Sequence, residues 1–214
     1  MDKKCVIFDV MGVIFTVGDD TNDLLVPFIR QYNRDITIEE INKYYMSASK
    51  GEITSKEFWE NVGLNIEYSG KNIEKEYLDT CLTLDKEFIK IAKSLKKEYN
   101  IAILSNDVKE WSEYLRVKHR LNDIVDYSII SGEVGIRKAD KKIYEIALNK
   151  IGIEASNCVF IDDRDKNLIP AQELGMKIIR FEREGEIKSQ IADITKVNSF
   201  SQLKYELEQV WRFK

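Results

Sequence analysis

The sequence predicts an α/β fold, a doubly wound parallel sheet with a small all-helical insertion after its first strand, and three observations predict it. The apolar run Cys5-Val6-Ile7-Phe8 ends in Asp9, and Gly12 follows three residues later. A short β-prone run of this kind reads as a buried parallel strand that delivers its last side chain to the crevice at the carboxyl edge of the sheet. From about Asp19 to Thr83 the chain reads as helix after helix, with short polar breaks and no strand. From Asp85 onward helical stripes alternate with apolar runs, the pattern of βα units wound onto a parallel sheet. The expected division is a core of residues 1–18 and 84–214 with a helical cap at 19–83.

Each element has its own local reason. Gly12 lets the chain turn away tightly after the first strand. Leu24, Leu25, Phe28, Ile29 and Tyr32 lie at helical spacing, with Pro27 admissible in a first turn. Thr37-Ile38-Glu39-Glu40 and Thr54-Ser55-Lys56-Glu57 are capping boxes, opening helices through Ile41, Tyr44 and Tyr45 and through Phe58 and Val62. A further helix is expected over Ile73 to Cys81, and these stripes together read as the core of a small bundle. Phe88, Ile91, Ala92 and Leu95 form the next helical stripe, before the buried strand Ile101-Ala102-Ile103-Leu104-Ser105. Asp107-Val108-Lys109-Glu110 starts a helix carrying Trp111 and Leu115. Tyr127 to Ile130 is a third strand, followed by a loop with Gly132, Gly135, Arg137 and Lys138, and Ile143, Ile146 and Ala147 mark a helix. Cys158-Val159-Phe160-Ile161 is a fourth strand running into Asp162-Asp163. Asn167, Leu168, Ala171 and Leu174 continue as a helix closed by Gly175, and Lys177 to Phe181 is a fifth strand. Ser199-Phe200-Ser201-Gln202 is the capping box of a terminal helix reaching Val210.

Composition narrows the function classes. At 214 residues and 43% hydrophobic content the chain has room for one domain with a sizeable insertion and a real core. A net charge of −4 with both signs interspersed leaves no electrostatic footprint for nucleic acid or an anionic membrane, so a small anionic substrate needs a local basic site. Cys5, Cys81 and Cys158 are odd in number and far apart, which reads as free thiols in a reducing compartment. Asp9 interrupts the apolar run after Lys3-Lys4, no small-residue cleavage site follows it, and no stretch approaches the ~18 apolar residues of a membrane span. A cytoplasmic location is the expectation. The single histidine, His119, sits between Lys118 and Arg120 and offers no setting for a serine or cysteine triad.

Asp9, Ser105, Lys138 and Asp162-Asp163 all fall at carboxyl ends of predicted strands or in the loops beyond them, which converges them on one crevice. Taken singly, Ser105 reads as a cap for the following helix and Lys138 as a solvated lysine. Two adjacent acids at a strand end repel unless a cation or base balances them, so Asp162-Asp163 points to a site.

The local contexts add a resemblance. Four stretches carry it, in chain order: Phe8-Asp9-Val10-Met11-Gly12-Val13, Leu104-Ser105-Asn106, Ser131-Gly132-Glu133-Val134-Gly135-Ile136-Arg137-Lys138-Ala139-Asp140, and Phe160-Ile161-Asp162-Asp163 with Asn167 and Leu174-Gly175-Met176. They resemble the four motifs of the haloacid dehalogenase-like hydrolase superfamily, in the subfamily with a helical cap after the first motif. Lys50-Gly51-Glu52-Ile53 before Phe58-Trp59 is similar to that cap. The resemblance implies a Rossmann-like core and a Mg²⁺-dependent phosphatase of a small phosphorylated metabolite. In that scheme Asp9 attacks phosphorus to give an aspartyl-phosphate, which splits one hard displacement into two easier ones. Mg²⁺ would be held by the Asp9 carboxylate, the Met11 backbone carbonyl and Asp163, with Asp162 orienting a metal water or Lys138. Ser105 would donate to a phosphoryl oxygen, Lys138 would neutralise the transition state, and backbone N–H groups near Val10 to Gly12 and at Asn106 would add an anion nest. Lys50 to Trp59 is the stretch expected to face the site, though it reads equally as an ordinary helix–loop–helix.

Met11 departs from the pattern, because phosphatases of this kind usually place there an aspartate that protonates the leaving oxygen and later deprotonates water. A methionine does neither, and general acid–base catalysis is typically worth ~10²–10⁴-fold. Two other readings accommodate it. A 2-haloacid dehalogenase expels halide without a proton, and a catalytically silent metabolite-binding or regulatory protein needs no acid at all.

Overall fold

The computed structural model describes residues 3–17, 19–68, 70–183 and 188–211. The first strand, β1 (Cys5–Phe8), is buried along its whole length. The chain then enters the insertion through a π-helical turn, Thr21–Leu25, which runs into α1 (Val26–Arg30). Next come α2 (Ile38–Ala48) and α3 (Ser55–Asn61), and both expected capping boxes close: Thr37 with Glu40 and Thr54 with Glu57 each satisfy the other's backbone N–H. A small hairpin follows, β2 (Glu67–Tyr68) against β3 (Lys71–Asn72), before α4 (Ile73–Thr80). This hairpin corrects the expectation of an all-helical insertion. Its strands are two residues long, too short to print an alternating pattern on the sequence, and the turn is made possible by Gly70 at φ 76°.

The remainder alternates as expected through α5 (Lys86–Leu95), β4 (Asn100–Ser105), α6 (Lys109–Lys118) and β5 (Tyr127–Ile130). A short helix, α7 (Ser131–Val134), stands where a loop was expected, and Gly135 at φ 76° ends it. Then come α8 (Lys141–Ile151), β6 (Cys158–Asp162), α9 (Asp165–Glu173), β7 (Lys177–Phe181), β8 (Thr195–Val197) and α10 (Phe200–Val210). β8 was not foreseen: it is an edge strand with only Val197 buried, so no apolar run announces it. The box at Ser199 is half made, since Ser199 Oγ accepts from the Gln202 N–H while the Gln202 side chain takes the Asn198 N–H instead of the Ser199 one.

All pairings in the main sheet are parallel, in the order β5-β4-β1-β6-β7-β8. The chain winds outward from β1 to β5, then crosses to the other side of β1 and winds outward again. The change of direction falls at β1, whose carboxyl end opens on the crevice that such sheets use for ligands. Alternate residues of β1 feed two cores. Cys5 and Ile7 face α8 and α9, whereas Val6 and Phe8 face α5, α6 and α10.

The buried side chains of the insertion join this second core without a break. Trp111 on α6 is the joint: Tyr45 stacks on it at 6.1 Å, and Phe58, Trp59 and Tyr77 meet it at 5.4, 5.8 and 5.4 Å between ring centroids. Aromatic pairs of this kind add ~0.5–1.5 kcal/mol each beyond the area they bury. Glu74 accepts from the indole N–H of both Trp59 and Trp111, so one carboxylate satisfies a tryptophan from each side of the joint. The three cysteines are free thiols. His119 packs its ring edge against Phe15 at 5.4 Å. Among the described residues no helix is long and apolar enough to cross a membrane.

Candidate active site

The loop after β1 is organised by its own carboxylate and by a residue far along the chain. The Asp9 N–H donates to Ile161 O at 2.8 Å, which carries the parallel pairing one residue past the strand. Asp9 Oδ1 accepts from the Val10 N–H at 2.6 Å, so that N–H, expected to face an anion, is already engaged. Arg183 donates to Gly12 O at 3.1 Å, to Val13 O at 2.7 Å and to Asp85 at 2.9 Å, fastening the turn to the core. No sequence signal marked Arg183, because an arginine just past a strand end has many surface roles. Gly12 is required twice: its φ is 84°, and a Cβ there would lie 2.4 Å from Asp163 Oδ2.

Lys138 stands at the centre of the strand ends. Its ammonium lies 2.6 Å from Asp9 Oδ1 and 2.8 Å from Asp162 Oδ2, with all three side chains buried. Asp162 is fully engaged, accepting from the Arg164 N–H at 2.8 Å and from the Asn167 amide at 3.0 and 3.1 Å as well as from Lys138. Burial alone would favour a neutral lysine, but the charges of Asp162 and Asp9 outweigh it and hold the ammonium's pKa above its ordinary value. Asn106 clamps the Lys138 main chain from both sides, donating to its carbonyl at 3.0 Å and accepting from its N–H at 2.8 Å. The amide side chain of Asn106 is thus committed to placing Lys138, which leaves only its main chain for any anion.

Two carboxylates, Asp9 and Asp162, face this ammonium, and a third, Asp163, lies beside them with its Oδ2 3.8 Å from the Arg164 guanidinium. Ligand oxygens of Asp9, Asp162 and Asp163 lie within 4.8 Å of one another. Burial, then the Asp162 charge, push the Asp9 carboxyl up to about 7 against the pull of Lys138. Burial and the charges of Asp162 and Asp9 push Asp163 up to about 9, against Arg164 and Lys138. Asp163 Oδ1 is buried and takes no hydrogen bond, and the same is true of Ser105 Oγ at the end of β4. A donor set of hard oxygens, crowded, short of positive charge and with one lone-pair face unfilled, fits a hard divalent cation. The unpartnered Ser105 hydroxyl is a donor held ready for an acceptor.

A cleft of about 190 Å³ opens above these groups. Its floor includes Asp9, Met11, Asn106, Lys138 and Asn167, and its charged walls include Arg137, Arg164 and Lys166. The insertion contributes Asp20, Thr21, Tyr45 and Met46, which corrects the expectation that Lys50 to Trp59 faces the site. That stretch seats the insertion instead. A Cβ at Gly51 would lie 2.4 Å from Gly132 O, and Phe58 and Trp59 are buried in the aromatic joint. Just before it, Ser49 receives Arg137 on its hydroxyl and Ser131 on its carbonyl. Tyr45 and Met46 carry no separate sequence signal because they sit on one helix, α2, where inward and site-facing positions look alike, and Asp20 carries none because it lies just before a helical turn.

Comparison with known proteins identifies the family. A family model described as haloacid dehalogenase-like hydrolase matches residues 3–175. A sesquiterpene phosphatase of Aspergillus oryzae is 28% identical over 178 residues, covering 81% of this chain and 87% of that protein. A D-ribitol-5-phosphate phosphatase of Bacteroides thetaiotaomicron is 22% identical over 204 residues, covering 89% and 98%. Among solved structures, a haloacid dehalogenase family enzyme of the same bacterium, in complex with magnesium and inorganic phosphate, superposes with a TM-score of 0.72 at 22% identity, covering 87% of this chain and 98% of that one. The chain therefore belongs to the haloacid dehalogenase-like hydrolase family.

Proposed function

We propose that this hydrolase is a Mg²⁺-dependent phosphatase of a small phosphorylated metabolite. The observation that carries the reading is the clustering of Asp9, Asp162 and Asp163 oxygens within 4.8 Å of one another, with the buried Lys138 ammonium on two of them, Asp9 and Asp162. Asp9 is the nucleophile: its carboxylate attacks phosphorus, and water later cleaves the aspartyl-phosphate. The ammonium of Lys138 holds the Asp9 oxygen in place beforehand and stays beside the equatorial charge that develops. Ser105 offers its unpartnered hydroxyl to a phosphoryl oxygen. Asp162 does not react; it fixes Lys138 and is itself fixed by Asn167. Mg²⁺, when bound by Asp9, Asp163 and the Met11 carbonyl, neutralises the meeting of an anionic nucleophile with a phosphate dianion. Residues 19–83 act as the cap that supplies one cleft wall, and the core is 1–18 with 84–214. Three free thiols fit a cytoplasmic setting.

The phosphatase names of the relatives support this reading, as does the magnesium and phosphate complex of the structural neighbour. The polar cleft of this chain argues for a hydroxylated or charged metabolite, whatever the other relatives accept. Met11 favours the second reading, a 2-haloacid dehalogenase, but displacement of halide gives Asp163 and its unfilled oxygen no task. Phosphate release from p-nitrophenyl phosphate with Mg²⁺, and its loss in chelator, tests the proposal. Chloride release from 2-chloropropionate without phosphatase activity would replace it with the second reading.

A further inference from the structure

The phosphatase reading leaves the departing oxygen without a proton donor, since the Met11 thioether has no proton to give. Among the described residues lining the cleft, Asp20 is the one carboxyl besides Asp9. The other titratable groups there are ill suited. Lys138 is closed between Asp9 and Asp162, Arg137 and Arg164 keep their protons at any working pH, and burial holds the Tyr45 phenol well above its ordinary range. Lys166 is exposed to solvent.

Asp20 is placed with care. It immediately precedes the π-helical turn Thr21–Leu25, where the chain leaves the core for the insertion. The Tyr45 hydroxyl donates to its Oδ2 at 3.4 Å, and Tyr45 is itself set by stacking on Trp111 and by a second contact to Asn106 O. Burial, aided by Asp19, raises its carboxyl above the usual range against the opposing Arg164 and Arg137 guanidinium groups. A carboxyl that keeps its proton nearer neutral pH is better matched to proton donation.

We propose that Asp20 is the general acid and base of this site, taking the part that position 11 has lost; the proposal rests on the phosphatase reading. Asp9 forms a bond to phosphorus as the bond from phosphorus to the ester oxygen breaks, and the Asp20 carboxyl gives its proton to that oxygen, releasing the alcohol. The resulting Asp20 carboxylate takes a proton from water as the water oxygen attacks phosphorus, Asp9 is expelled as carboxylate, and inorganic phosphate leaves. Proton transfer is then supplied by the insertion, and the aromatic joint that seats the insertion also sets the acid.

The test is Asp20→Asn, which keeps an oxygen acceptor for Tyr45 and removes only the proton. We would measure kcat and KM with Mg²⁺ for p-nitrophenyl phosphate and phenyl phosphate, two esters of nearly one shape whose leaving oxygens differ in basicity. The expected result is a kcat loss approaching ~10²-fold on phenyl phosphate and under ~10-fold on p-nitrophenyl phosphate. Equal losses on both esters, or a loss confined to KM, would overturn the role and make Asp20 a binding residue. A wild-type protein inactive on both esters would overturn the phosphatase reading itself and remove the basis for the role. Should Asp20→Asn unfold by circular dichroism, Asp20→Ser serves with the same criteria.

Discussion

The floor and the far wall of the cleft are built on opposite principles. At and beneath the floor, Asp9, Asp162 and Asp163 follow strand ends and Lys138 reaches them from the loop after α7; each is at most 7% exposed, and Lys138 pairs closely with Asp9 and Asp162. On the wall contributed by the insertion, Met46 is 42% exposed, and Asp20 touches Tyr45 through a single long hydrogen bond. A buried charge cluster is all or none, because removing one member strands the others in low dielectric. Where the wall is open, as at Met46, a change is graded, because water replaces what is removed. On the proposed reading, the difference puts the reaction at the strand ends and selectivity, with the proposed proton transfer, on the wall that the insertion supplies.

The largest effect should come from Asp9, the proposed nucleophile. Asp9→Asn is expected to lower kcat at least ~10⁴-fold with an unchanged far-UV spectrum, as for other reactions through a covalent intermediate. A variant keeping a tenth of wild-type turnover would remove Asp9 from the chemistry.

Stability sharpens the contrast next. Lys138→Met takes away the ammonium that pairs with the Asp9 and Asp162 carboxylates, and should cost ~3–5 kcal/mol in urea unfolding at neutral pH. Gly12→Ala should cost less, ~1–3 kcal/mol, through its positive φ and the push of a Cβ on Asp163, and should weaken Mg²⁺ binding measured by calorimetry. A Gly12→Ala protein with native Mg²⁺ affinity would show that Asp163 is not a ligand.

The floor also makes a prediction about pH. In metal-free protein, Asp9 and Asp163 have pKa values raised from 3.8 to about 7 and about 9. Between those limits the folded state holds protons that the unfolded chain has released, so stability falls as pH rises from about 4 through 7 to 9. The melting temperature in chelator should drop across this window, Mg²⁺ should restore it, and Asp163→Asn should flatten it. A melting temperature that rises with pH in chelator would mean that the carboxylates are not crowded as described. The smallest effect belongs to the wall: Met46→Ala should change stability by under ~0.5 kcal/mol and alter KM rather than kcat.

How far the sequence could be read follows the same division. Asp9, Ser105 and Asp162-Asp163 were legible because each ends an apolar run, and the period of a buried strand fixes which residue reaches the crevice. Lys138 was legible from its motif. The hairpin of β2 and β3 and the edge strand β8 were not, because strands of two or three residues are too short to carry an alternating apolar pattern. Arg183 was not, because its partners are backbone carbonyls 170 and 171 positions away, which no local pattern encodes. Lys50 to Trp59 misled because a glycine loop beside aromatic residues serves docking as well as binding.

The alternation of elements, both capping boxes of the insertion and the four stretches whose order places the proposed catalytic groups at one sheet edge can be read from the sequence alone. These depend on local periodicity and on hydrogen bonds between residues three apart, which short segments specify alone. Packing in three dimensions settled that Asn106 and Asp162 hold Lys138, that Trp111 anchors the insertion, and that Asp20 rather than the Lys50 loop reaches the cleft. Those outcomes turn on how an insertion of helices is rotated against the sheet. Rotation is set by the summed packing of aromatic side chains distant in the chain, a quantity that no window of sequence contains.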